Sequence, residues 1–478
     1  MVNYSLAGLL VLLISFIFVS ARPATLHWFM LPATACGLLT GADLVRWLRG
    51  EIDPFDPKGL VGLILFHGWF LAPLLHVYWG QYGYDLNLSL DPRTWLGVAA
   101  LVNLGGIVCY KVSQRWAFRR TAEVSTSWKL ISGRLFIFLI IAIIVGLIAQ
   151  AVFYQKYFAA LRLDETMRGT GWLLMLGDSL PTLLALGIIA STPSPQRRRT
   201  WILVGMILLA LATLQFFWSG LRGSRSAFVG VMFFSTCLIH FWWRRLQVIH
   251  LLMALALLLP FMYYYGFYKG AGSEAVKAFE SPKERQRLEQ QTGRTFPGMV
   301  LGDLARADVQ ARISQEIATG ENEYRWRLGR TYLKALSQLI PYSIWKIVIG
   351  DLSFKERWNK AFAFAELNSG RVKQPGFYPK SSRVYGLSGE AMLNFGFWGV
   401  APVWLLYGLI MGWVRRKLYT LPRHDARWLL MPIVISLTMG IPTADLDNLV
   451  FGAFKGGLMV FLLVLVCSRR LNENRPEG

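Results

Sequence analysis

LFIFLIIAIIVGLIAQAVF, Leu135 to Phe153, decides the fold: nineteen residues without a single charge. A helix needs about 20 apolar residues to cross ~30 Å of hydrocarbon, and in lipid a lone segment can satisfy its backbone only as helix. Working outward, equally apolar runs start at Ser5, Trp201 and His250. Eight more, broken by Gly, Pro, Asn or Asp, start near His27, Gly59, Trp95, Gly171, Ser226, Met392, Trp428 and Val450. The interrupted runs belong inside the bundle. The expectation is an all-α polytopic membrane protein of about twelve spans. Three units follow: 1–268 with nine spans, a large loop over 269–385, and 386–478 with three spans and a tail.

Basic residues set the orientation, because Lys and Arg concentrate in loops that stay in the cytoplasm. They cluster in 46–58, 111–120, 196–199, 242–245, 414–427 and 468–475. With twelve spans these clusters alternate without a break, so both termini are expected in the cytoplasm. Met1 to Ser20 lacks a basic leader, so it reads as an uncleaved first helix rather than a signal peptide. The net charge of +22 largely reflects this bias. Its scatter over separate loops forms no nucleic-acid face.

Four cysteines and six histidines form no CxxC, HExxH or other ligand spacing. The cysteines read as small apolar packing residues. His76 is kept as a candidate only for its place near an outer helix end.

Chemistry is then expected on the outer face, where arginines run against the usual bias. In GLRGSRSAF (Gly220 to Phe228), Arg222 and Arg225 flank a turn before a helix start. Guanidinium forks bind phosphate bidentately, and a helix start adds free amides. The pair therefore reads as a site for a diphosphate at the membrane surface; the plainer alternative is snorkelling to lipid headgroups. Arg168, at another span end, allows the same two readings. Within the large loop, apolar spacing at Val309, Ile313 and Ile317, then at Tyr332, Leu336 and Leu339, predicts amphipathic helices lying on the mouth of the bundle.

Several stretches carry a resemblance to a family: DPFDPKGL (Asp53 to Leu60), RGTGWLLML (Arg168 to Leu176), GLRGSRSAF, TYLKALSQLIP (Thr331 to Pro341) and YGLSGEAMLNFGFWGVAPVWLLYGLIMG (Tyr385 to Gly412). In this order and topology the chain resembles Wzy-type polymerases of oligosaccharide repeat units in bacterial surface polysaccharides. It departs from them at SIWKIVIGDLSFKERWNK (Ser343 to Lys360), where a shorter segment is usual. The resemblance implies a GT-C-like membrane fold in the inner membrane. It implies transfer of a growing glycan from undecaprenyl diphosphate to a new lipid-linked repeat unit, at the periplasmic face, without a metal or other cofactor. The partners implied are undecaprenyl-diphosphate-linked oligosaccharide, membrane lipid and a chain-length regulator protein, with no nucleic acid.

On that reading Arg222 and Arg225 stabilise the leaving diphosphate. Glu390 is the candidate base for the acceptor hydroxyl, its plainer role being a helix N-terminal acid. Asn394, one turn on, orients sugar or carboxylate. Arg168, Lys380, Arg383 and Tyr385 line the approach. An O-antigen ligase, another lipid-linked-sugar glycosyltransferase and a lipid-linked glycan transporter are the alternatives.

Overall fold

In the computed structural model, ten helices among the described residues are long and apolar enough to cross a membrane. The structure describes residues 2–82, 91–119, 127–163, 171–191, 201–220, 224–340, 344, 347–348, 358–369, 384–422 and 425–471. The helices in chain order are α1 (Val2–Ala21), α2 (Met30–Leu48), α3 (Pro57–Trp79), α4 (Pro92–Arg119), α5 (Ser132–Leu163), α6 (Gly171–Ser191), α7 (Trp201–Trp218), α8 (Arg225–Trp242) and α9 (Val248–Ala271). The large loop contributes α10 (Pro282–Thr292), α11 (Ala307–Thr319), α12 (Arg330–Leu336) and α13 (Lys360–Ser369). The chain closes with α14 (Gly386–Phe395), α15 (Val400–Thr420), α16 (Met431–Gly440) and α17 (Leu446–Cys467).

Every one of the twelve apolar stretches is helical, but two fall outside the ten. Thr40, Gly41, Asp43 and Arg46 dilute α2, and α16 has only 10 residues. One departure from all-α is a two-stranded antiparallel ribbon that pairs Trp128–Leu130 with Ser468–Arg470.

The close approach of α15 to α4 shows how sequence sets packing here. A Cβ on Gly408 would stand 1.9 Å from Ser113 Oγ, and one on Gly412 would stand 2.6 Å from Ala117 Cβ. Small residues four apart let helix backbones touch where lipid offers no hydrophobic drive to associate. Trp404, one turn before Gly408, is fully buried and sets its ring edge-on to Trp69.

The basic segments gather at one end of the bundle. Arg415 of α15 grips Asp56 with three hydrogen bonds of 2.8 to 2.9 Å, and Tyr419 adds a fourth. Asp53 accepts from Arg245 and lies 3.1 Å from His240 Nε2. Asp43 receives Lys58 at 3.2 Å and Lys111 at 2.7 Å. Asp425 accepts from the Trp128 amide beside the ribbon. Five of the six basic clusters therefore share one end, and the sixth, 196–199, lies outside the described residues. The other end carries the large loop.

Within that loop, α10 follows its sequence signals: Ser281 caps it, accepting from the Glu284 amide, Pro282 opens it, and left-handed Gly293 (φ 65°) ends it. The expectation for α11 is corrected. It does not lie on the mouth; Ala307 through Glu316 are all buried. Its polar residues find distant partners inside the protein. Asn103 donates to Gln310, Arg312 to Asn368, and Asn322 to Glu316. The apolar face expected at Tyr332, Leu336 and Leu339 is corrected in part: Tyr332 and Leu339 are partly buried, but Leu336 is about half exposed, and the most buried residues of α12 are Thr331 and Ala335.

Candidate functional site

Between α6, α7, α8, α16 and α17 lies a cavity of about 560 Å³, within the ~300–1,000 Å³ typical of small-molecule sites. Its walls are apolar at Phe233, Phe234, Leu437 and Phe451, but polar groups converge on it from four directions.

The deepest of these is an ion pair. Lys455 of α17 reaches Asp178 of α6 at 2.7 Å, and the Asp178 side chain is 1% exposed. A local interruption puts Asp178 there. The helix breaks at Asp178 and Ser179, and Pro181 follows. Proline has no N–H for the carbonyl four residues back, which is that of Gly177. Trp218 Nε1 donates to that carbonyl instead, at 3.0 Å, while Ser179 Oγ returns to Leu176. Gln215 joins the same wall, 1% exposed, donating to Ser219 and leaving its carbonyl oxygen without a hydrogen bond. Opposite charges in two spans, at a helix break lining a cavity, mark functional membrane sites.

The rim toward the large loop is cationic. Ser226, in the first turn of α8, and Arg306 both line the cavity. Arg306 Nη1 donates to the carbonyls of Gly302, Asp303 and Ala305, fixing the turn that leads into α11. Arg225 and Arg294 share the carboxylate of Asp303, at 2.9 and 3.1 Å. One acid thus serves two arginines at this rim.

Behind the Thr443 and Asn448 wall, two helix starts exchange caps. Asp445, immediately before α17, accepts from the Tyr385 and Gly386 amides that open α14. Glu390 of α14 accepts from the Leu446 amide that opens α17, at 2.7 Å, and from Thr331 Oγ. Each carboxylate so meets the free amides and positive dipole end of the other helix. Lys360 bridges Asp445 (2.5 Å) and Asp447 (2.8 Å). Burial alone would lower its pKa, but the two carboxylates prevail and hold it above the ordinary lysine value. Among the described residues Lys334 has no such pairing, and burial lowers it despite the attraction of Asp447.

Asn394 uses all its polar groups as a clamp. It donates to Thr331 Oγ and to the Glu390 carbonyl, and its Oδ1 accepts from the Gly329 amide. Its own carbonyl accepts from Leu328, a non-glycine residue at φ 49°. Such a left-handed residue costs of order 1–3 kcal/mol and persists only where its surroundings hold it.

The sequence-derived candidates therefore separate. Arg225, bound to Asp303, immediately precedes Ser226 of the cavity lining. Glu390 (3% exposed) and Asn394 (fully buried) lie together in the capping network. Tyr385 is also fully buried, packed on Phe364, so its side chain supports the junction and lines no approach. Arg168, Arg222, Lys380 and Arg383 lie outside the described residues. His76 is buried, with Nδ1 2.5 Å from the Gln81 carbonyl and its ring stacked on Tyr82. Among the described residues no three His, Cys, Asp or Glu side chains converge as a metal site.

Asp178, Gln215, Arg306 and Lys455 went unread in the sequence. The two charges did carry a signal, since an Asp in LLMLGDSLP and a Lys in FGAFKGG interrupt otherwise apolar spans. No family model, curated protein or solved structure matches this chain.

Proposed function

We propose that this protein is a polymerase of lipid-linked oligosaccharide repeat units, a GT-C-like glycosyltransferase of about twelve spans in the bacterial inner membrane. On this reading the loop end faces the periplasm and the basic end the cytoplasm. The observation that carries the proposal is the cavity, where Arg306 lines the end toward the large loop, the Arg225–Asp303–Arg294 cluster lies next to it in sequence, and an acid is set within the bundle. A lipid diphosphate arriving from the bilayer would set its charge at the rim, where fixed guanidiniums offset the charge that develops as it leaves. Asp178, oriented by Lys455, is the acceptor for the attacking hydroxyl's proton. The pair is buried and bordered by Gln215 and Thr182, which could hydrogen-bond a sugar. Glu390, the acid singled out in the sequence, serves the architecture by capping α17, and Asn394 holds the loop against α14.

The glycosidic bond forms between the acceptor oxygen and the donor's anomeric carbon, the bond from that carbon to the diphosphate breaks, and the hydroxyl proton passes to Asp178. The test uses purified protein, a lipid-diphosphate-linked repeat unit and EDTA. A ladder of longer lipid-linked glycans is expected, and it should vanish in Asp178→Asn and Arg306→Ala. Intact repeat units with no ladder would reject the polymerase.

A second reading draws on one observation. A buried charge pair at a broken helix is also how transporters coordinate their cargo. If vesicles translocate the lipid-linked unit without lengthening it, and Asp178→Asn stops this, the protein is a transporter.

A further inference from the structure

A second polar groove lies far from the cavity, at the basic end. It measures about 500 Å³ and is formed by α4 with Tyr4 of α1 and Leu39 of α2. Along α4 its lining changes in order: Val108, then Lys111 and Val112, then Arg115 and Trp116, then Arg119. Helix α4 has 28 residues, about 42 Å at 1.5 Å each, so it overshoots a ~30 Å hydrocarbon core. Lys111 stands about 28 Å along it, where hydrocarbon gives way to headgroups, and the two arginines continue into the headgroup layer. Val108 and Val112, which flank Lys111 along the helix, are exposed for acyl chains. Trp116 is of the type that sits at this boundary.

Among the described residues the charge around the groove is unbalanced. Lys111, 12% exposed, shares Asp43 with Lys58, and Arg415 holds Asp56 next to them. Two carboxylates face three cations, leaving one positive charge in a partly buried place. Arg115 and Arg119 are exposed, and among the described residues no carboxylate lies within ion-pair distance of either. Scattered snorkelling arginines would not need a groove with a lysine fixed in its wall.

We propose that this groove binds an anionic glycerophospholipid, its phosphate held by Arg115, Arg119 and Lys111 and one acyl chain laid along Val108, Val112 and Leu39. The site is separate from the cavity and independent of the reading given to it.

The test compares lipids retained by the full-length protein. It is reconstituted in equal parts phosphatidylglycerol and phosphatidylcholine, extracted in mild detergent and analysed by native mass spectrometry. Wild type should retain phosphatidylglycerol over phosphatidylcholine. Arg115→Ala with Arg119→Ala should weaken retention roughly thirtyfold, taking about 1 kcal/mol per arginine near an anionic surface. Arg115→Lys with Arg119→Lys should recover most of it. Arg469→Ala with Arg470→Ala, a basic pair of the same end outside the groove, should retain lipid like wild type. The proposal is overturned if both alanine pairs lose lipid equally, or if the groove pair loses none. Displacement by excess inorganic phosphate would also overturn it, since that makes the groove a site for a free anion. A size-exclusion profile matching wild type establishes that each variant is folded.

Discussion

The two ends of the bundle both bury charges and use them differently. At the basic end, Asp56 is closed off by Arg415 and Tyr419, and Asp53 by His240 and Arg245. These pairs fasten α3 and the preceding loop to α8 and α15. At the loop end, Asp178 and Lys455 meet on a cavity wall, and Arg306 stands on its rim. A buried pair that joins two helices is replaceable by any well-packed contact. A buried pair that faces a space of ligand size keeps its charge for what enters.

The largest effect should come from opening the basic-end clamp. Arg415→Ala leaves Asp56 buried without its partner and should cost about 3–5 kcal/mol, read as a large drop in thermal midpoint and yield. What protein still folds should polymerise normally. Normal stability here would break the contrast between the ends.

The double variant Asp178→Asn with Lys455→Met should do the reverse. Replacing both charges together is often neutral for stability, so the thermal midpoint should hold. Ladder formation should fall by ~10²-fold or more, the usual worth of a general base. Retained activity would make this pair architectural too.

Glu390→Gln sharpens the comparison within the loop end. Gln can still accept from the Leu446 amide, but it then places an NH2 where the second carboxyl oxygen accepts from Thr331 Oγ. A cost of about 1–3 kcal/mol is expected, with ladder formation per folded molecule unchanged. Loss of the ladder at unchanged stability would return Glu390 to the chemistry.

The smallest effect concerns pH. Burial of Asp53 pushes its pKa up, but the His240 hydrogen bond and charge, the Phe55 amide and Arg245 outweigh it and leave the value lowered. The unfolded value is about 3.9, so the stabilisation is complete above that and is lost as pH falls through the folded value. Thermal midpoints taken downward from pH 6 should decline less steeply in Asp53→Asn than in wild type, by about 1 kcal/mol or less.

Much of the fold was legible because hydrocarbon imposes a simple rule. Each of the twelve stretches is helical, and the charge alternation sorted the loops into two ends that hydrogen bonds then join. The position of α11 was not legible. Its Asp308, Gln310, Arg312 and Glu316 look like a solvent face, and the approach of Asn103, Asn322, Asn368 and the Tyr385 carbonyl helps make burying them tolerable. Those partners lie 6 to 207 residues away in sequence, beyond any helical period. Less of the site was legible: Arg225, beside it, was found by its turn, whereas Glu390 and Asn394, found by their place at the re-entry into the bundle, belong to the capping network behind it. Asp178 and Lys455 were legible in principle as opposite charges in apolar runs, but their pairing depends on a helix break whose repair comes from Trp218.

The small ribbon has a consequence for biosynthesis. Trp128 pairs with Arg470, Leu130 with Ser468, and the Ile131 amide with the Cys467 carbonyl. The segment that introduces α5 therefore finds its strand partner only after the ribosome has made α17. Until then, the fifth helix enters the bilayer with its leading edge unfastened. A ribosome stalled after α16 would expose that edge, and a membrane-protein quality-control protease would find it there.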